Sequence, residues 1–248
     1  NNLIKETVKE VAFHPFEPNK LIMETKSGLY LLDVKRLNLE TLLKPLPAVW
    51  TVKNPSIYYF TEKNYVLASL NLAVKTETNL AQNPFPFLPK TVKKIQVSPA
   101  DDKIAFLTNL DDLYVLTILT QKFEKIAHNS GDFVFSPDNK KIAILDKDGK
   151  ISVHFLDDYA EDLNKKAGDV IRIDLENKEK IKKIYWYKNS YHFFVEYPDK
   201  LKFMEIDDRP PLNSYDIMNN LADFFYNPDN NRMYFIKQNI LYYAELEK

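Results

Sequence analysis

The side chains able to do chemistry in this sequence are few, and their spacing limits what they can do. The four histidines, His14, His128, His154 and His192, fall far apart, and no His-Glu-x-x-His pair exists to hold a metal. There is no cysteine, which excludes thiolate ligands, disulfides and a sulfur nucleophile. The four glycines, Gly28, Gly131, Gly149 and Gly168, are too scattered for a phosphate-cradling loop or a dinucleotide fingerprint. No Gly-x-Ser-x-Gly nucleophile elbow occurs. Acids cluster at Asp101-Asp102, Asp111-Asp112 and Asp146-Lys147-Asp148-Gly149. Converging carboxylates can cleave a glycosidic bond. Each of these clusters also reads as a solvated turn, and the last lacks the ligand spacing of a calcium loop. No metal, no cofactor and no catalytic residue is expected. The two tryptophans, Trp50 and Trp186, remain as ligand platforms or partner anchors, or as packing between sheets.

What would position these residues is a repeat. Phe135-Ser136-Pro137-Asp138-Asn139-Lys140-Lys141-Ile142-Ala143-Ile144-Leu145 reads as a strand end, a tight turn and a short buried strand. Proline presets φ in the turn, and Asp and Asn bond back to local backbone. Phe13-His14-Pro15, Lys53-Asn54-Pro55, Val97-Ser98-Pro99, Lys188-Asn189-Ser190 and Tyr226-Asn227-Pro228 each precede a similar apolar run. The turn positions 15, 55, 99, 137, 190 and 228 are spaced by 40, 44, 38, 53 and 38 residues. A polar hairpin turn and a third strand follow every copy, and a more polar fourth strand follows most. Periods of about 40–45 residues holding several short strands mark propeller blades. One such unit cannot bury both faces of its sheet, so the copies must stack.

The expected fold is therefore all-β: a six-bladed β-propeller of four-stranded antiparallel blades. It forms one domain over residues 1–248, with blades roughly at 8–45, 46–90, 91–130, 131–180, 181–219 and 220–248 plus 1–7. Residues 2–7 are expected to pair with 240–246 and close the ring. The long fourth interval holds residues 157–168, where Asp157, late lysines and Gly168 predict a short helix, with Tyr159 and Leu163 on one buried face. A strand over 170–175 should follow. Residues 214–218 and 222–226 are read as strands, and the proline-rich 83–89 as an extended connector.

Composition narrows the partners. Hydrophobic residues make up 45%, and Tyr and Phe together number 31, which favours strands and a large core. Net charge is −1, so no field exists to draw nucleic acid or an acidic membrane surface. No apolar run approaches a membrane span, so no direct membrane insertion is expected. The sequence begins at Asn1 with no signal segment, as expected of a trimmed or processed chain.

The repeated Phe-Ser-Pro-Asp-Asn-Lys-Lys-Ile-Ala-Ile pattern resembles the short WD40-like repeat of TolB-type bacterial propellers. The copies at 135–145 and 97–107 match best, and Asn139 stands where that repeat has glycine. The Gly-His and Trp-Asp marks of eukaryotic-type WD40 repeats and the Ser-x-Asp-x-Gly-x-Thr-Trp box of sialidase propellers are absent. The resemblance implies a propeller module of a bacterial envelope or surface protein, hence an extracytoplasmic location. From these readings we expect a monomeric, non-catalytic scaffold whose partner is another protein. Its contact surface would be the face of hairpin turns, with Trp50, Lys63, Asp112, Lys147 and Tyr197 as contact residues. The alternatives are a hydrolase or lyase with a carboxylate site in the channel, and a gating propeller of a peptidase. Fold alone does not choose among them.

Overall fold

The computed structural model describes residues 5–61, 65–82, 85–160, 163–173, 175, 180–207, 209, 212–228 and 230–246. The fold is all-β, in six consecutive antiparallel sheets, the blades of a six-bladed β-propeller. The first sheet holds β1 (Val8–Phe13), β2 (Lys20–Thr25), β3 (Leu29–Asp33) and β4 (Asn38–Leu43). The second holds β5 (Val49–Lys53), β6 (Ser56–Phe60), β7 (Leu67–Asn71) and β8 (Glu77–Ala81). The third holds β9 (Val92–Val97), β10 (Lys103–Thr108), β11 (Leu113–Thr117) and β12 (Lys122–Ala127). The fourth holds β13 (Ser130–Phe135), β14 (Lys141–Asp146), β15 (Ile151–Phe155) and β16 (Val170–Ile173). The fifth holds β17 (Lys183–Trp186), β18 (His192–Glu196), β19 (Lys200–Glu205) and β20 (Ser214–Asn219). The sixth has three strands among the described residues: β21 (Asp223–Asn227), β22 (Arg232–Lys237) and β23 (Ile240–Glu245). Every strand pairs with its sequence neighbour, the simplest topology a run of short hairpins can adopt. The chain divides into two compact units, residues 1–97 with 101–125, and residues 98–100 with 126–248.

The expected second strands form the cores of their sheets. Ile104, Ala105, Ile142, Ala143, Phe193 and Val195 are all fully buried. Full burial of one such large apolar side chain contributes about 1.5–3 kcal/mol. The sixth sheet is less covered: Met233 is buried, but Tyr234 and Phe235 are half-exposed. The repeat turns share one backbone device. Asp101, Asn139 and Ser190 occupy matching positions and have positive φ, between 59° and 65°, and Asn231, one position further on in its turn, has φ 53°. Short polar side chains tolerate that left-handed conformation better than other non-glycine residues.

Three expectations need correction. Residues 157–168 form no helix among the described positions. Tyr159 and Lys165 instead exchange both backbone hydrogen bonds, at 2.7 and 2.8 Å, in an isolated bridge. Asn164 and Gly168 take positive φ there, which turns the chain instead of winding it. Tyr159 and Leu163 still share an apolar environment, the cluster that includes Phe155 and Trp186. Of the connector 83–89, residues 83 and 84 lie outside the described residues, 85–88 belong to no strand or helix, and Pro89 departs from the extended course by opening one turn of 3-10 helix, Pro89–Thr91. Phe85 and Phe87 plug inward against Phe60, Phe106 and Phe123. Of the closing strand 2–7, residues 2–4 lie outside the described residues, and Lys5, Glu6 and Thr7 belong to no strand. Glu6 instead accepts the Ser27 amide at 3.0 Å.

Candidate functional site

A concentration of polar side chains around a cavity lies where the fifth and sixth sheets meet. β17 and β18 pair in the register Lys183↔Glu196 and Tyr185↔Phe194. That register sets Tyr185 beside the last residue of a buried strand, and the residue there is an acid. Glu196 is 3% exposed, directly after the apolar run of Phe193, Phe194 and Val195. β21 supplies Asp223, Phe224 and Phe225. With Lys182 and Lys183 these residues line an open cavity of about 540 Å³.

Hydrogen bonds there tie Tyr185 to both Glu196 and the sixth sheet. The Tyr185 hydroxyl lies 2.6 Å from the Phe224 carbonyl oxygen and 3.2 Å from Glu196 Oε2. A phenol has one proton to donate. The shorter contact, to the carbonyl, is the stronger claim on it, and the Glu196 carboxyl accepts what remains. Burial pushes the Glu196 carboxyl up from its ordinary value, against the pull of the Lys182 ammonium 3.7 Å away. Tyr185 is likewise held above its ordinary value, first by burial and then by the charges of Glu196, Asp223 and Asp132. Three acids from three successive sheets thus bear on one phenol. Lys182 Nζ also reaches the Pro198 and Ala222 carbonyls at 3.4 and 3.3 Å, tying the two sheets together.

A pH test follows from this arrangement. An acid whose folded value is raised gives up its proton first in the unfolded chain. Its contribution to stability is whole below the unfolded value, near 4.5, and declines as pH rises through the folded value. Glu196→Gln, which keeps a donor toward Tyr185, should melt higher than wild type at about pH 8 and level with it at about pH 4. Parallel melting curves at both pH values would refute the buried acid.

A second cavity, also about 540 Å³, is almost wholly apolar. Tyr187, Phe194, Phe203, Met233 and Leu246 form its walls, with Tyr215 and Ile217 of β20 at its edge. His192 stacks on Phe203 at 4.8 Å and 7°, and its Nδ1 lies 2.9 Å from Asn189 Nδ2. Burial lowers the His192 imidazole below its ordinary value while Glu205 opposes the shift, so the wall is neutral near pH 7. Tyr215 is 66% and Ile217 44% exposed. β23 is also mostly exposed, with Leu241 at 69% and Tyr243 at 64%.

The residues expected from sequence belong to different sheets and the turns between their strands. Trp50 is half-buried on β5, and its indole donates to Glu24 Oε2 at 2.7 Å. Trp186 is 3% exposed and donates to the Val134 carbonyl at 3.0 Å, a packing role between sheets. Asp112 is half-buried and paired with Lys125 at 2.7 Å. Lys147 is exposed in the turn before Gly149, and Lys63 lies outside the described residues. Tyr197 is corrected: it is 1% exposed and offers no contact surface, because its ring completes the core beneath its own turn. Asp146 and Asp148 are turn acids, since Asp146 Oδ1 accepts the amides of Asp148 and Lys150 at 2.9 and 2.8 Å. Among the described residues no group of three His, Cys, Asp or Glu side chains could hold a metal.

Sequence reasoning missed Tyr185, Glu196 and Asp223. A signal for Glu196 was present. An acid follows the buried apolar run of the second strand in two repeats, Glu24 after Met23 and Glu196 after Val195. Elsewhere that position holds Thr61, Leu107, Leu145 and Ile236. An acid closing a buried apolar run needs partners. Glu24 finds Trp50 and Lys9, and Glu196 finds Tyr185 and Lys182.

No family model matches the chain, and no curated protein matches it in sequence. Solved structures do match in fold. The chain resembles an oligogalacturonate lyase from Vibrio parahaemolyticus at 13% identity, with a TM-score of 0.65, covering 98% of this chain and 77% of that one. It resembles Kluyveromyces lactis Hsv2 at 14% identity and a TM-score of 0.62, covering 97% of this chain and 75% of that one. It resembles the tricorn protease at 13% identity and a TM-score of 0.64, covering 96% of this chain but only 29% of the protease. At such identities the likeness carries the fold and nothing finer: this chain has the architecture of a β-propeller.

Proposed function

We propose that this chain is a recognition propeller that binds another protein, acting as a module of a bacterial envelope or surface protein. The TolB-type reading of its repeats supports that setting. The observation that carries the binding role is the apolar groove edged by Tyr215 and Ile217, two large side chains on an outer strand that lie open to water. Exposed apolar surface beside a groove marks a contact site more often than an accident of packing. The proposed occupant is an apolar segment of a partner protein seated against Phe203 and Tyr215. The propeller itself is proposed to be monomeric and extracytoplasmic. Trp50, Asp112 and Lys147 are proposed as further contacts on its hairpin turns.

The test is capture from envelope extract with the wild-type chain as bait, followed by identification and direct titration of the captured protein. Tyr215→Asp and Ile217→Asp should each weaken the titrated affinity at least tenfold, about 1.4 kcal/mol, with melting unchanged. A partner bound equally by wild type and both variants would remove the groove from the interface. Trp50→Ala and Asp112→Lys would then show whether the hairpin turns hold it instead.

One observation favours an enzyme as the second reading. Asp132, Glu196 and Asp223 all bear on Tyr185 beside an open cavity, and a buried carboxyl held above its ordinary value is what a general acid requires. A hydrolase or lyase would then act on a substrate held there. Turnover of a glycan substrate by wild type and its loss in Glu196→Gln would establish this reading over the first.

A further inference from the structure

We propose that the cavity between the fifth and sixth sheets, lined by Lys182, Lys183, Tyr185, Glu196, Asp223 and Phe225, is a binding site for a neutral sugar ring. The inference is independent of the protein-binding groove, which shares none of these residues.

Three features of the walls lead to this ligand class. The first is charge. Two ammonium groups and two carboxyl groups line the cavity. Lys182 lies 3.7 Å from Glu196 and within reach of two carbonyls, so this pair balances itself inside the wall. Lys183 and Asp223 face the cavity with opposite signs. A ligand of either net charge gains one attraction and meets one repulsion, whereas a neutral ligand meets no repulsion. The second feature is the mixture of surfaces. Phe225 is 52% exposed, and its ring stands edge-on to Tyr185 at 6.4 Å and 81°. An exposed aromatic ring among hydrogen-bonding groups suits a molecule with an apolar face and a polar rim. A pyranose has both, a face of C–H bonds and an equator of hydroxyls. The third feature is the donor and acceptor set. Lys183 donates only, Asp223 accepts only, and hydroxyl groups can serve both at once. The volume, about 540 Å³, falls within the usual range for small-ligand sites and leaves room for one ring and part of a neighbour.

The site is also braced. Tyr185 is pinned to the Phe224 carbonyl at 2.6 Å, and its ring meets Phe224 at 5.1 Å and 86°. Lys183 Nζ lies 4.9 Å from the centre of the Tyr185 ring. The aromatic side of the cavity is thus held across β17 and β21 before any ligand arrives. Pre-set walls lower the ordering cost of binding.

The experiment is NMR titration of the whole chain with methyl β-glucopyranoside and methyl β-galactopyranoside. Glucuronate and glucosamine serve as the charged comparisons. Saturable binding of at least one neutral glycoside is expected, with intermolecular contacts from its C–H face to the Phe225 ring in the wild-type protein. Phe225→Ala should weaken that binding at least tenfold, and Asp223→Asn several-fold. Both residues are exposed, and unchanged melting would confirm that the variants fold. Tyr215→Asp, which lies at the apolar groove, should leave sugar binding untouched. The proposal is overturned if neither neutral glycoside binds, if a charged sugar binds more tightly than both, or if the bound sugar makes no contact with Phe225.

Discussion

Asp138→Ala is expected to destabilise the protein by about 3–5 kcal/mol, the cost of taking one partner from a buried ion pair. The Lys141 side chain has no exposure at all, yet it carries an ammonium group. That group pairs with the Asp138 carboxylate and sits 3.9 Å from the centre of the Tyr159 ring, with Phe155 and Trp186 near 6 Å. Aromatic faces return about 2 kcal/mol to a desolvated cation, less than the cost of burying it. Asp138 also fastens the turn by accepting the Lys140 amide at 3.0 Å. The double variant Asp138→Ala/Lys141→Met should recover most of the loss, because Met fills the aromatic cage without a charge. Chemical denaturation of the two single variants and the double variant measures this directly. A double variant no more stable than Asp138→Ala would mean that the turn, and not the ion pair, carries the effect.

Ile142→Asp should prevent folding altogether. Ile142 is fully buried in an inner strand of its sheet, opposite Phe135 and His154. The substitution deletes an apolar side chain worth about 1.5–3 kcal/mol and places there a carboxylate without a partner, at a further cost of several kcal/mol. Together these approach the whole stability of an ordinary domain, about 5–15 kcal/mol. The expected result is insoluble protein or a spectrum without cooperative melting. A soluble variant melting with wild type would mean that this strand is not part of the core.

The two substitutions fall in the stretch that was most legible in the sequence, and the reason is physical. A short apolar run between a Ser-Pro-Asp turn and a Gly turn has few structural alternatives, so residues 135–149 disclosed a strand, a turn and a hairpin. Repetition of that pattern gave the blade count. Residues 157–168 misled because their helix signals, an early acid, late lysines and a final glycine, are also turn signals. Spacing alone cannot show that Tyr159 bonds Lys165. The polar cavity was hidden for a different reason. Tyr185, Glu196 and Asp223 come from three strands, and only the register Lys183↔Glu196 and the packing of β21 bring them together. Tyr197 was misplaced because a residue next to a hairpin turn can point to either face, and here it points into the core.

Asn139 departs from the repeat that this chain otherwise resembles, where glycine stands. Its φ of 65° is one that glycine would adopt with less strain. Glycine, however, has no side chain, and the Asn139 amide oxygen accepts the Ala100 backbone N–H at 3.2 Å, thirty-nine residues away. One turn further on, the Asp138 N–H donates to the Ser190 hydroxyl at 2.8 Å. The three successive turns after β9, β13 and β17 are therefore stitched to one another, with one hydrogen bond at each step. A substitution in one turn is felt by its neighbour, so these positions are constrained to change in concert, and a chain of loops that looks locally interchangeable behaves as a single seam.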